Sequence, residues 1–470
     1  MLERIGRNAV ATRNLWLRFL VLLVAVVLAT VSLPRLAEAR LVVKRIVVHG
    51  HTKTTLRALT ARMTLQPGDV VDFASLAGAE KRLAESDLFT SARVYVDMPI
   101  DEAARLMYVD PGVYGVDVHV EVTDKQSWFV VPIASFGSGD YAGGLAYGDQ
   151  NFLGHDVTLV TAAQYGVSRS YAFAGFRVPV VVGAPLTWGV AGIVRHEQVR
   201  FFVDHKLVLQ VPTLIGGGAG EFGWVLSPHL RALLGVSARA QGVGDPEVLE
   251  PDAQVPAHNP RSGRIFLLVF QVAYDNTTLP GGMRRGTRLL LKNELSDRYW
   301  GSQFDYSKFE VRTELYGKLG WNYPSLVLQT VFNFPTSVRG VPITETLRIG
   351  GADLRGYLVD EFHGDTLVRT QLEDQVVVLR NVPLPFVEKR FHVAAAAFVD
   401  AAALLERHPG GTAVDLPEPA RPKLADIHTS VGAGFRAILP GVVLPALKAD
   451  VGYGIDVQSF AFTISIAGGG

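Results

Sequence analysis

The 470-residue chain contains no cysteine, so disulfides and thiolate metal sites are excluded. It has no surplus of either charge: 45 Lys and Arg balance 45 Asp and Glu, for a formal net charge of +0. A balanced chain lacks the basic footprint by which nucleic-acid binding is recognised. After the N-terminal stretch, no uninterrupted apolar run reaches the roughly 18 residues of a membrane helix. The motifs H-E-x-x-H, G-x-x-x-x-G-K-[ST] and G-x-S-x-G are missing too, and with them the zinc-protease, P-loop and serine-hydrolase signatures. What is present is 48% hydrophobic residues, a mean hydropathy of +0.22 and 47 glycines. Apolar content in short alternating segments, without spanning helices, points to a transmembrane β-barrel.

Residues 1–39 read as a secretory signal peptide. Arg4, Arg7, Arg13 and Arg18 form a basic front, an apolar stretch follows, and Ala37-Glu38-Ala39 supplies small residues for cleavage before Arg40. The alternative is an uncleaved anchor, for which the apolar stretch is short.

Residues 40–125 read as a small α/β unit in the order β-α-α-β-β. LVVKRIVVHG is a strand. Thr54 or Thr55 caps a helix whose Leu56, Leu59 and Met63 recur on one face. The turn Gln66-Pro67-Gly68-Asp69 ends it. A second helix over 73–87 carries Leu76, Ala79 and Leu83, and two strands follow, joined by a polar loop over 101–112.

From residue 126 to 470 the chain alternates. In 304–318, Lys308, Glu310, Arg312, Glu314 and Lys318 hold even positions, while Phe309, Val311, Thr313 and Leu315 hold odd ones. A period of two puts the charges on one strand face. That face must line the lumen, because Arg or Lys facing lipid costs roughly 2–4 kcal/mol near the midplane. About sixteen such antiparallel segments follow one another, the first near 128 and the last near 459. Segment 201–211 is ambiguous between an extra strand and a loop, and the next clear segment begins near 217. With the N-terminal unit in the periplasm, the long stretches 243–262, 336–366 and 403–426 fall outside. Short turns such as Asn151-Phe152-Leu153-Gly154 and Pro383-Leu384-Pro385-Phe386 fall inside, as expected of an outer-membrane barrel.

One stretch in the sixth outer loop, 347–357, reads LRIGGADLRGY. Gly350 and Gly351 open positive-φ backbone, so the segment can fold tightly. Arg355 between such points calls for a carboxylate partner if it is desolvated. A solvated surface turn is the other reading. Strand parity supplies two candidate acids. Arg369, Gln371, Glu373 and Gln375 share one face of the next strand, and Asp400 lies opposite the apolar face of the one after, so Glu373 and Asp400 face the lumen.

Several motifs carry a resemblance to a known family. Leu65 to Asp69, and Leu88-Phe89 before Val94-Tyr95-Val96, resemble a POTRA domain. Asn151-Phe152-Leu153-Gly154 matches an N-L-x-G turn. Tyr274-Asp275-Asn276-Thr277 with Pro280 and Gly286 resembles D-x-R-D…P…G, without its arginine. Phe398-Val399-Asp400-Ala401 resembles F-x-D-x-G, with alanine at the glycine, and Gly432 to Arg436 is similar to G-x-G-x-R. Gly350-Gly351 followed by Arg355-Gly356-Tyr357 matches G-G…R-G-[FY]. The chain is thereby identified as resembling the BamA/TamA-type outer-membrane assembly family, also called the bacterial surface antigen family, with a single POTRA domain. The resemblance implies that loop six folds into the lumen and that Arg355 pairs with Glu373, Asp400 or both. It departs from the family in its Gly468-Gly469-Gly470 end, where an aromatic residue is common.

The resemblance implies a factor that inserts or translocates outer-membrane proteins, acting by strand templating and a periplasmic POTRA domain. The expected partners are the outer-membrane bilayer, unfolded outer-membrane protein clients, and accessory proteins of the periplasm or inner membrane. Two alternatives stand beside this reading: a two-partner secretion transporter and a passive diffusion pore. No catalytic residue, cofactor or metal is expected. Arg195-His196-Glu197 has acid–base chemistry but reads as an ordinary polar triplet, and the glycine-rich 216–220 reads as a barrel loop.

Overall fold

The structure is a computed structural model that describes residues 40–86, 88–97, 113–178, 185–250, 261–337, 340–384, 387–405, 427–439 and 447–466. The expected leader, the loop 101–112, Pro385-Phe386 and the three terminal glycines lie outside the described residues. The chain divides into two compact units, one ending at Lys125 and the other beginning at Gln126.

The first unit is a four-stranded sheet with two helices: β1 (Arg40–His49), α1 (Leu56–Met63), β2 (Val70–Val71), α2 (Phe73–Glu85), β3 (Phe89–Val96) and β4 (Val113–Asp124). The strand order is β2-β1-β4-β3, with β1 parallel to β4. The two-residue β2 has no period to read, so it was invisible in the sequence. The turn before it creates it: Gly68 N–H donates to Val43 O (2.8 Å), and Val70 and Val71 then pair with Val42 and Leu41. Thr55 caps α1, accepting from Ala58 N (3.3 Å). Asp72 and Ser75 form a reciprocal capping box on α2. Alternation along β4 sends Val116, Val118, Val120 and Val122 into a core shared with Leu59, Met63 and Leu83. Leu56, expected on that face, is 53% exposed, because the buried stripe of this eight-residue helix runs through Ala58, Leu59 and Met63.

The second unit is a closed antiparallel barrel. Its strands are β5 (Trp128–Gly137), β6 (Asp140–Asp149), β7 (Thr158–Gly166), β8 (Arg169–Val178), β9 (Leu186–Val203), β10 (Lys206–Ser227), β11 (Leu230–Val243), β12 (Glu247–Val248), β13 (Gly263–Asp275), β14 (Gly286–Ser296), β15 (Tyr306–Tyr316) and β16 (Asn322–Pro335). A small hairpin, β17 (Leu347–Ile349) and β18 (Phe362–Gly364), belongs to loop six. The wall then continues through β19 (Thr366–Leu384), β20 (Val387–Leu405), β21 (Ile427–Ile438), β22 (Leu447–Gly454) and β23 (Ser459–Ile466). Sixteen long strands make the wall, and the two-residue β12 is added to β10.

Two expectations need correction. Segment 201–211 is neither an extra strand nor a loop. It is the tip of a long hairpin, in which β9 and β10 run to Val203 and from Lys206 around Asp204 (φ 47°) and His205 (φ 64°). Both turn residues are left-handed, as a tight hairpin requires, but Asp-His lacks the glycine that signals such turns. The glycine-rich 216–220 is the middle of β10 and not a loop. The segment expected from about 217 therefore begins at Lys206, and glycine, which supplies no alternating side chain, hid its continuity with 206–215.

Parity along β15 places Lys308, Glu310, Arg312 and Glu314 inward, with Glu314 buried and Phe309 and Leu315 exposed on the outside. Lys318 lies beyond the strand end. The long connections 244–262, 336–365 and 406–426 leave one end of the wall, and the two-residue connections 228–229 and 385–386 leave the other. That asymmetry makes the long-loop end the outer one.

Candidate functional site in the lumen

Loop six turns inward at its two glycines. Gly350 has φ +148°, and a Cβ there would lie 1.9 Å from Leu358 O; Gly351 has φ +62°. Neither position accepts a side chain, which is why the turn is written in glycine. Leu354 and Tyr357 are buried with Ile349 of the loop and Leu367 and Leu404 of the wall, so the loop tip shares an apolar core with β19 and β20.

The structure brings Arg355 against both predicted acids. Its Nε and Nη2 donate to Asp400 Oδ2 and Oδ1, each at 2.7 Å, in a bidentate fork. Its backbone N–H adds a third bond to Asp400 (3.2 Å). Nη1 donates to Glu373, and more distantly to Asp450 (3.5 Å). Arg355 and Asp400 are 2% and 0% exposed, so this is a desolvated pair whose lone pairs and protons are taken up.

Five contributors were not evident in the sequence. Arg436, 1% exposed, donates to Glu373 Oε2 (2.7 Å) and Asp450 Oδ1 (2.6 Å), so two arginines alternate with three carboxylates across β19 to β22. Phe398 lies under Arg355, its ring centroid 3.4 Å from the guanidinium carbon. Gly452 and Gly454 form the wall behind Gly356. Gly356 has φ +99°, a Cβ on it would lie 2.8 Å from Gly454 N, and a Cβ on Gly452 would lie 2.6 Å from Gly356 N. Backbone therefore meets backbone, which only paired glycines allow. Parity held the signal for all five: Phe398 shares the inward face with Asp400, and Arg436, Asp450, Gly452 and Gly454 fall on inward faces of the next two strands. Only the register shows that these faces converge.

Tyr357 continues the anchor outward. Its hydroxyl donates to the Asp456 carboxylate, with Thr429 O also within reach (2.8 Å), and His428 Nδ1 meets the same carboxylate at 2.6 Å. Asp456 sits in the outer turn 455–458. Burial pushes its carboxyl up, but the bonds from Tyr357 and His428 outweigh that and hold it below the usual carboxylate range.

The same loop is held at the opposite wall. Glu345 accepts from Arg239 (2.8 Å) and Lys308 (3.3 Å), and Arg348 donates to Glu197 (3.1 Å) and Asp360 (3.2 Å). His205 at the β9–β10 tip meets Glu361 at 2.6 Å. Arg195 and Glu197 of the polar triplet thus belong to an ion network beneath loop six, with Arg195 Nε 3.3 Å from Glu197. Loop six spans the lumen between β9–β15 and β19–β22. Among the described residues, no cluster of His, Asp and Glu is arranged to hold a metal.

The other motif residues hold periplasmic-end turns or wall positions. Asn151 Oδ1 accepts from Asp156 N (2.9 Å), and Asp275 accepts from Thr277 N (2.9 Å), each closing its own turn.

Comparison with known proteins places this geometry. Residues 134–466 match the Omp85 superfamily domain. No curated protein matches the chain. Among solved structures, the chain is similar to BamA from Haemophilus ducreyi lacking POTRA domains 1-3, at 16% identity, covering 91% of this chain and 84% of that one with a TM-score of 0.62. It is also similar to CdiB from Acinetobacter baumannii, at 13% identity, covering 92% and 74% with a TM-score of 0.56. Both likenesses are of fold. A matched domain spanning most of the chain, on a closed barrel of alternating strands, makes this protein an outer-membrane β-barrel belonging to the Omp85 superfamily.

Proposed function

We propose that this protein inserts or translocates other outer-membrane proteins by templating their strands, with residues 40–125 acting as a periplasmic POTRA domain and without enzymatic chemistry. The observation that carries the reading is the closure of the barrel. Among the described residues, β23 pairs with β5 at four positions, from Thr463 with Gly137 to Ile466 with Ala134, whereas β19 and β20 pair at sixteen. A short ladder leaves strand edge that an incoming extended chain can pair with. In the first unit, β3 lies at the edge of its sheet and offers the same kind of pairing to a client segment. The clients are unfolded outer-membrane proteins, as the family resemblance suggests, and accessory proteins of the periplasm or inner membrane assist.

The test uses the missing cysteines. Ser135 and Ser465 are directly paired across the seam on the inward face, so Ser135→Cys with Ser465→Cys places two thiols at disulfide reach in a chain that has no others. Oxidation is expected to stop assembly of new barrels in the outer membrane, and reduction to restore it. Unchanged assembly in the oxidised protein would overturn the templating mechanism. Depletion followed by outer-membrane proteomics separates the competing classes. Loss of many barrels supports assembly, loss of one secreted protein indicates a two-partner transporter, and no loss with large steady conductance indicates a pore.

A further inference from the structure

The lipid-facing wall between β10 and β13 carries a trough that neither the loop-six anchor nor the seam uses. Outward positions on β10 are Gly216, Gly218 and Gly220, and the register sets them beside Ala240, Ala238 and Val236 of β11. The rows continue on β13 as Arg264, Phe266 and Leu268. This is the outer face: the opposite-parity Ile265 and Leu267 are buried in the lumen with Val341 of loop six, while Val236 and Phe222 are exposed. With almost no side chain on β10, the wall recedes to backbone. An apolar hollow of about 590 Å³ results, lined by Gly218, Gly220, Val236, Ala238, Phe266 and Trp300. That volume is in the range of small-molecule sites.

The hollow has a polar end. Trp300 comes from the outer loop between β14 and β15, and a Cβ on the neighbouring Gly301 would lie 3.7 Å from the Phe266 ring. Arg264 stands at the outer end of β13, one row above Phe266, with its backbone fixed by Gln303: N–H to Oε1 (2.8 Å) and carbonyl from N–H (2.8 Å). Its side chain is exposed and, among the described residues, has no hydrogen bond or ion pair. The acids of the adjoining loop are engaged elsewhere. Asp297 accepts from Tyr299 N (2.9 Å), and Asp305 accepts from Arg298 N (2.8 Å) and the Ser337 hydroxyl (2.6 Å).

We propose that this trough holds one acyl chain of an outer-leaflet lipid whose phosphate is bound by Arg264. An unfilled hollow forfeits dispersion contacts along its whole lining, and in a bilayer the chemistry available to fill it is a hydrocarbon chain. A guanidinium on the lipid face is stable only when it reaches the interface, where its planar fork matches phosphate oxygens. Tryptophan beside it sits at the headgroup level that indoles favour. Charge at the outer rim and apolar depth below it thus fit one amphiphile.

Native mass spectrometry of the delipidated full chain tests this, with dimyristoyl phosphatidic acid and dimyristoylglycerol as probes. The wild type is expected to bind one phosphatidic acid roughly tenfold more tightly than the diacylglycerol, the worth of a charge-assisted contact. Arg264→Gln is expected to erase that preference. Gly220→Leu fills the trough, and a Cβ there meets nothing within 4 Å, so the barrel tolerates it. It is expected to weaken both lipids about tenfold or more. Equal binding of the two probes by the wild type, unchanged binding by Gly220→Leu, or a dimer of the chain in place of a lipid adduct would each overturn the proposal.

Discussion

Arg355 shows what one residue does in a closed lumen. Its guanidinium meets three carboxylates in a buried site, sharing their charge with Arg436 and Lys448. Arg355→Ala leaves Glu373 to Arg436 and Asp450 to Arg436 and Lys448, but takes from Asp400 its bidentate cation, and breaking a buried pair in this way costs about 3–5 kcal/mol. The urea midpoint of barrel unfolding, read by heat-modifiable gel mobility, is expected to fall accordingly, with faster proteolysis of loop six. Arg355→Lys is not expected to rescue it, since an ammonium cannot reproduce the fork on Asp400. Gly356 makes a second residue-scale case. Gly356→Ala adds a methyl in a left-handed conformation against Gly454 backbone, for an expected loss of about 1–3 kcal/mol. Gly143→Ala, where a Cβ meets nothing within 4 Å, is the matched control and is expected to shift stability by less than about 0.5 kcal/mol. Glu373 and Asp400 were legible because parity is local, whereas Arg355 stood out through its glycine-flanked motif and its pairing through the family resemblance. Phe398 and Gly452 were not read, since an inward phenylalanine or glycine means nothing until a cation or a backbone is found facing it.

At the scale of elements, two devices differ in how much sequence they need. In the first unit, the Asp124 carboxylate at the end of β4 clasps the start of α1. Burial pushes its pKa up, but N–H groups of Lys53 (2.7 Å) and Thr52 and hydroxyls of Thr54 and Thr52 outweigh it, and the carboxyl falls to about 2. A depressed carboxylate stabilises fully above its ordinary value of 3.8 and loses that contribution as pH falls through about 2. Hydrogen exchange at α1 amides is therefore expected to accelerate between these pH values, and Asp124→Asn to flatten the dependence. The seam belongs to the barrel. With four paired positions among the described residues, β23 amides are expected to exchange well before those of β19 and β20 at pH 7, and equal protection would remove the physical basis for strand templating. Strands with side-chain alternation were placed to within a few residues. The β9–β10 hairpin was not, because its turn is Asp204-His205 and its middle is glycine, so neither turn chemistry nor periodicity marked it.

At the scale of the molecule, loop six is a brace between two walls. Glu345 and Arg348 fasten it to β9, β11 and β15, while Arg355 fastens it to β19 and β20. Releasing one end leaves the other seated. Glu345→Gln is accordingly expected to destabilise the barrel less than Arg355→Ala, and the double variant to exceed either, as unfolding midpoints would show. The sequence by itself determined the barrel, the approximate number of strands, which end carries long loops, and the face on which Glu373 and Asp400 lie. All of these follow from a period of two and from the cost of charge in lipid, which act residue by residue. Tertiary structure alone decided that Arg436 and Asp450 join the Arg355 site, that Glu345 holds the far end, and that β23 meets β5 to close the wall. Those outcomes depend on register between strands distant in sequence and on backbone approaching backbone, which no local pattern encodes.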